Sequence, residues 1–410
     1  MPQDTRQTVT VTPDSSGTLP TFRAVLPWAA FLAFLFTVNY LLRATWGPLL
    51  SVFERDFSLD HTQSTRLVFF LSVGICVSIF LSGFILSRIR PRTMISVSFF
   101  TAALVLFGML RMETYVQAQV LFVCLGLACG QYLTAAMATL GSFTPPKHWG
   151  RAVAVHELAP CLSFIVAPVL AETAAALWGW RNGTLLMGCI SVAVGVIFLR
   201  MRGGTKRLPR PSIAGAVAAF RKPVFWIIIW LFGLSVGAEF APYSVLPLSL
   251  TLEQGLGSAE AARLLSLSRF PAPFLVLFGG YAVAWWGAKR CLLLFLIIQG
   301  AALICLSLPH SMTGTIVLGG GMAIQAMAAA FVFPALFTLF AESFPQEQLP
   351  MIISLAIPLG SFIGGAMTPY LLGLSGKYLS FGSGYLIFGI ICLATVPFFL
   401  LYSREGKLGE

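Results

Sequence analysis

Three ionisable side chains, Arg43, Glu239 and Arg269, sit inside apolar runs that should exclude them. Arg269 lies in Leu267-Ser268-Arg269-Phe270-Pro271-Ala272-Pro273, about ten residues into one such run. At ~1.5 Å of rise per residue that is near the middle of a membrane-crossing helix, too deep to snorkel. An arginine there costs at least ~2.5–3.5 kcal/mol on insertion scales, so it is expected to face a cavity or a partner. A guanidinium presents a fork of donors that suits a carboxylate or an inorganic oxyanion. Arg269 therefore either binds an anion or forms a buried ion pair with Glu239. Glu239, with Tyr243 four residues on, is the clear acid at mid-depth. It is a candidate for proton coupling, or for neutralising Arg269 until substrate arrives.

Arg43 lies deeper along the first apolar run, toward its far end. Asn39 and Arg43, four apart, share a helix face, with Trp46 three further on. The alternative for Arg43 is snorkelling to the interface. Gln131 and Gln325 supply neutral donors and acceptors at mid-depth, for substrate or for a neighbouring helix. Glu157, after His156 at the start of an apolar run, is favoured by the helix N-terminus. Its expected partners are the loop arginines Arg88 and Arg151, as an inner gate. No phosphate-binding loop, catalytic carboxylate pair or His/Cys metal cluster occurs, so neither enzymatic activity nor a cofactor is expected. The eight cysteines all fall in apolar runs without metal-ligand spacing and read as small core residues.

These side chains need a scaffold that lipid tolerates. Hydrophobic residues make up 57% of the 410 and charged ones 10%. No soluble chain of this length could bury that much apolar surface, so an all-α, multi-pass membrane protein is expected. Twelve spanning helices fit, near 24–50, 62–87, 93–111, 115–143, 150–177, 182–200, 223–249, 259–284, 288–308, 313–341, 349–373 and 380–402. Residues 1–22 read as a disordered tail without a cleavable signal. Residues 23–200 and 223–402 read as two six-helix halves, and 403–410 as a second tail. Residues 201–222 form a basic linker between the halves, with a short surface helix near 212–220. The net charge of +11 sits mostly in short loops on one side, which indicates topology rather than nucleic-acid binding. Of the 26 Lys and Arg, 18 lie on the side of the termini and 6 on the other. Both termini are therefore expected in the cytoplasm of an inner (plasma) membrane protein.

The two halves echo each other. Leu67–Phe84 aligns with Leu264–Tyr281 without gaps, and each is followed by a basic turn. The turns, Gly83-Phe84-Ile85-Leu86-Ser87-Arg88 and Gly280 through Gly287-Ala288-Lys289-Arg290, resemble the paired loop signature of the major facilitator superfamily. Gly83, Arg88, Gly280, Gly287, Lys289 and Arg290 match it, whereas Ser87 and Ala284 stand at its acid position. The resemblance implies two pseudo-symmetric six-helix halves that rock around a central site, driven by an ion gradient. Asn39, Arg43 and the following Gly47-Pro48-Leu49-Leu50 are similar, over these few residues, to the first helix of the family's cyanate and nitroimidazole carriers. Membrane arginines from opposite halves are similar to its nitrate/nitrite carriers. The expected function is proton-coupled uptake of a small anion, bound by Arg43 and Arg269 and tuned by Asn39, Tyr243, Gln131 and Gln325. Expected partners are the anion, protons and the bilayer, and a monomer suffices. A proton-coupled exporter of amphipathic drugs, with Trp46, Phe240 and Tyr243 lining its pocket, is an alternative. A carrier-like sensor or assembly factor that moves nothing is another.

Overall fold

Apolar runs in a bilayer must satisfy their backbone groups internally, and this chain does so with helices. The structure is a computed structural model that describes residues 21–145, 148–200, 220–344 and 349–404, and no strand occurs among them. Among the described residues, twelve helices are long and apolar enough to cross a membrane. In chain order these spans are Phe22–Ala44, His61–Leu86, Pro91–Met109, Tyr115–Phe143, Arg151–Trp178, Trp180–Arg200, Pro223–Leu252, Ser258–Gly279, Ala288–Leu306, Gly314–Phe340, Leu355–Tyr378 and Phe381–Leu401. Large apolar side chains on their outer faces stand open, Leu104 at 72% and Ile316 at 90%, which suits hydrocarbon rather than water. The surface helix expected near 212–220 lies outside the described residues, as does most of both tails.

The first span is shorter than expected. It stops at Ala44, a turn follows, and a separate helix runs over Leu50–Phe57. Pro48 explains the stop: it cannot donate to the helix ladder and disfavours helical geometry at Gly47.

Two breaks position the functional side chains. In the eighth span a helix over Ser258–Arg269 ends and a second begins at Ala272. Pro271 has no N–H to continue the ladder, and the Phe270 amide turns back to the Leu267 carbonyl at 3.1 Å. Arg269 thus occupies the last turn of its helix, where the dipole favours a cation. In the fifth span the helix Trp149–His156 gives way at Glu157 to one starting at Leu158. Pro160 lacks the N–H that would have bonded the His156 carbonyl. The eleventh span loosens too, with a π-helical turn over Phe362–Met367. There a Cβ on Gly364 would overlap the backbone of Gly233 and Gly237, so glycine permits the seventh and eleventh spans to touch.

The two halves are tied at the end away from the termini. Lys377 meets Asp60 at 2.8 Å, Arg66 donates to the Tyr370 hydroxyl at 3.4 Å, and Ser258 donates to Glu172 at 2.7 Å. Ser266 donates to the Ile165 carbonyl, and His61 packs on Phe381 at 5.5 Å. A Cβ on Gly47 would come within 2.8 Å of the Ser244 Cα, so the turn after the first span also meets the seventh span here. This end of the bundle is closed.

Candidate functional site

Arg269 is 2% exposed, and its Nε and Nη2 have no hydrogen-bond partner. Two rings flank the guanidinium, Phe164 of the fifth span at 5.7 Å and Tyr243 of the seventh at 5.6 Å. Those rings lie 4.2 Å apart. The Tyr243 hydroxyl is likewise buried without a partner. Beside them is a cavity of about 10 Å³, on the order of one water, lined by Cys161, Phe164, Glu239, Arg269, Ala272 and Ala326. Residues of the fifth, seventh, eighth and tenth spans therefore converge on one point between the halves.

Glu239 borders this cavity and is half-buried. Among the described residues it makes no ion pair, with Arg269 or any other cation. It lies within electrostatic reach of Arg269, Glu157 and Arg43. The buried ion pair weighed from the sequence is thus not the arrangement seen.

Arg43 lies 3.7 Å over the Tyr40 ring and 5.9 Å from Phe36, with its Nε buried and unpartnered. Tyr40 meets Phe164 edge-on at 5.1 Å. Arg43, Tyr40, Phe164 and Arg269 therefore form a continuous row across the halves. A guanidinium on a ring face gains about 0.5–2 kcal/mol, which offsets part of its desolvation and leaves its N–H groups free.

The neutral candidates separate. Asn39 donates to the Cys129 carbonyl at 3.3 Å and so braces the first span against the fourth. Gln131 turns back on its own helix, to the Leu127 carbonyl at 3.3 Å. Gln325 donates to the Ala238 carbonyl, beside Glu239, and its Oε1 remains buried and unpartnered. Of the three, Gln325 keeps a free polar atom next to the cavity. The gate expected from Arg88, Arg151 and Glu157 is not formed among the described residues. Arg88 is exposed, Arg151 lies 5.9 Å from the Phe22 ring, and Glu157 bonds His156 at 3.3 Å. Trp46 does not line a pocket near Arg269. It is 1% exposed, donates to the Leu42 carbonyl at 2.6 Å, and packs on Phe53 and Phe122.

Sequence reasoning missed Phe164, Cys161 and the role of Tyr40. Phe164 and Cys161 read as ordinary apolar residues of the fifth span, and the contacts that select them come from helices far apart in the chain. The pairing of Tyr40 with Arg43, three residues apart on one helix face, was the signal available for Tyr40.

The Major Facilitator Superfamily model matches residues 32–369 and 234–409. A curated relative, "Probable nitrate/nitrite antiporter NarK1" of Thermus thermophilus, is 24% identical over 278 residues, or 64% of this chain. The match spans 62% of that relative's length. Among solved structures, a bacterial homologue of the human lysosomal transporter Spinster, inward-facing and occupied, superposes with a TM-score of 0.73 at 15% identity. It covers 94% of this chain and 98% of its own. The D-xylose-proton symporter superposes at 0.71 with 15% identity, covering 92% of this chain and 97% of its own. At these identities the likeness is one of fold.

Proposed function

The chain belongs to the Major Facilitator Superfamily, and we propose that it is a secondary active transporter that takes up a small organic or inorganic anion, coupled to protons. The observation that carries this reading is the buried Arg269 with two unpartnered guanidinium nitrogens. An unpaired buried charge costs several kcal/mol, and an anionic guest at the site would offset that cost. Nε and Nη2 form one edge of the fork, so two parallel N–H donors suit two oxygens of a planar group such as carboxylate, nitrite or nitrate. The Tyr243 hydroxyl and Gln325 add polar contacts, and Arg43 holds a second positive charge along the aromatic row. Glu239, free of Arg269 and open to the cavity, is the proposed proton carrier.

In this reading residues 23–200 and 223–402 are the two halves, joined by 201–222, and they rock about the site. The excess of basic residues on the termini side supports a cytoplasmic position for both termini in an inner membrane, with the closed end facing outward. Arg88, Arg151 and Glu157 lie at the opposite end and would meet only when that end closes. Asn39 and Gln131 act through the packing of the first and fourth spans.

A second reading, exchange of one anion for another with no proton moved, draws support from the curated relative, whose name describes a nitrate/nitrite antiporter. Uptake of labelled nitrite, nitrate and formate into proteoliposomes separates the two. Proton coupling predicts uptake driven by an acid-outside gradient into vesicles that contain no counter-anion, and loss of that uptake in Glu239→Gln. Uptake that occurs only against an internal anion would overturn proton coupling, and no flux of any anion would overturn both.

A further inference from the structure

Gln325 of the tenth span is fully buried, and only half of its amide is spent. Pro242 stands inside the seventh span and has no N–H for the carbonyl four residues earlier, that of Ala238. The Gln325 Nε2 donates to that carbonyl instead. A carbonyl can only accept, so this bond fixes which end of the amide is nitrogen and leaves the oxygen on the other side. Oε1 is buried and has no partner. The residues next to this bond, Glu239 in the seventh span and Ala326 in the tenth, both line the cavity beside Arg269. Arg269 thus brings two open donors to the region and Gln325 an open acceptor, yet the two do not satisfy each other. What completes both must carry acceptors at one end and a donor at the other.

We propose that the anion held by Arg269 is a short 2-hydroxy monocarboxylate, whose hydroxyl donates to Gln325 Oε1. The inference rests on the anion reading above and narrows it. Nitrite, nitrate and formate offer acceptor oxygens but no O–H or N–H at neutral pH. They would complete Arg269 and leave Oε1 a buried acceptor without a donor, which is costly. The Tyr243 hydroxyl can turn to donate or to accept, so it does not discriminate between guests. Size favours a short molecule. The cavity in this closed state is about 10 Å³, and Cys161, Ala272 and Ala326 are its small walls. The guest that needs least rearrangement carries its donor on the carbon next to the carboxylate. Charge favours a hydroxyl over an ammonium. Arg43 and Arg269 face one acid, Glu239, so a guest of charge minus one balances the site, whereas a zwitterion leaves it positive. A proton on Glu239 does not reverse that order.

Titration calorimetry on the purified full-length protein with glycolate, acetate, glycine and formate tests this. Glycolate and acetate differ by the hydroxyl alone, and glycine puts an ammonium in its place. The expected result is that glycolate binds at least about tenfold more tightly than acetate, and more tightly than glycine. In Gln325→Met, which keeps the bulk and removes the acceptor, the glycolate-to-acetate ratio should fall to about one. A merely structural Gln325 would change both affinities together and leave their ratio as it was. Equal affinities for glycolate and acetate in the wild type overturn the inference and leave the anion reading standing. A ratio retained in Gln325→Met overturns the role of Oε1, and tighter binding of glycine overturns the hydroxyl. Binding of none of the three anions defeats the anion reading itself, and this inference with it. The wild-type comparison decides by itself if the variant does not fold.

Discussion

Arg269 and Glu239 border the same small cavity, yet they form no ion pair within 4.0 Å. Each thus keeps its charge available for something that is not protein. Replacing Arg269 with Met should leave the melting temperature unchanged or raise it, because the variant no longer buries an uncompensated charge. The same change should weaken anion binding by about 100-fold or more, since it removes two charge-assisted hydrogen bonds. Thermal unfolding with and without anion reads both effects from one sample.

Arg43 is held by a ring face rather than a carboxylate, and Arg43→Lys is therefore not conservative. A lysine keeps the charge but loses the planar stack on Tyr40 and the paired donors. Anion affinity should fall by about tenfold in Arg43→Lys, and Tyr40→Leu should cost a similar amount. Competition binding at saturating protonation measures it.

The closed end depends on a close approach of the second and eleventh spans. A Cβ on Gly373 would overlap the Thr65 side chain, so Gly373→Val should force this end open. Cys161, a natural residue of the cavity, reports the change once the other seven cysteines are replaced. A membrane-impermeant thiol reagent added from the closed side should label Cys161 at least about tenfold faster in Gly373→Val than in its parent, the scale of a 1.4 kcal/mol shift.

Asp60 and Lys377 add a pH-sensitive contribution to that closure. Burial pushes the Asp60 carboxyl up, but the Lys377 ammonium and the Gln63 amide outweigh it and hold the group below the usual carboxylate range. A group lowered in the closed form stabilises that form above the ordinary carboxylate range, and the contribution is lost as pH falls through the lowered value. Cys161 labelling from the closed side should therefore speed up at strongly acidic pH in the wild type and respond less in Lys377→Ala. The effect should be small, because the pair is partly exposed and screened. Asp60→Ala should cost about 1 kcal/mol more than Lys377→Ala, since Asp60 also caps the second span through the Gln63 amide at 2.8 Å.

Trp46 separates the anion reading from the drug-exporter reading. Packed in the first half, Trp46→Ala should destabilise the protein by about 3–5 kcal/mol and leave ligand preference unchanged. A specific loss of cationic-drug binding, with stability intact, would contradict the position described.

Much of this was legible in the sequence, for reasons that differ by residue. The twelve spans follow from apolar length, and Arg269 stood out because a charge at that depth needs a reason. The break that presents it was written in Pro271. What could not be read was helix rotation. Asn39 and Arg43 share a face, but only the packing shows Asn39 bound to the fourth span and Arg43 turned onto Tyr40. Phe164 is one apolar residue among many until the seventh and eighth spans close on it. Glu157 looked like a partner for loop arginines, whereas the fold gives it the buried ring of the residue beside it.

The central claim is that an anion completes Arg269, and thermal stabilisation tests it most directly. Purified wild-type protein and Arg269→Gln would be heated with nitrite, nitrate, formate and a cationic drug, each titrated to saturation. A ligand that binds only the folded state raises stability with its occupancy, by about 2.7 kcal/mol at a hundred times its Kd. The account predicts that at least one planar anion raises the wild-type melting temperature, that Arg269→Gln abolishes the rise, and that the cation has no effect. Equal stabilisation of both proteins by the anion, or stabilisation by the cation alone, would contradict it.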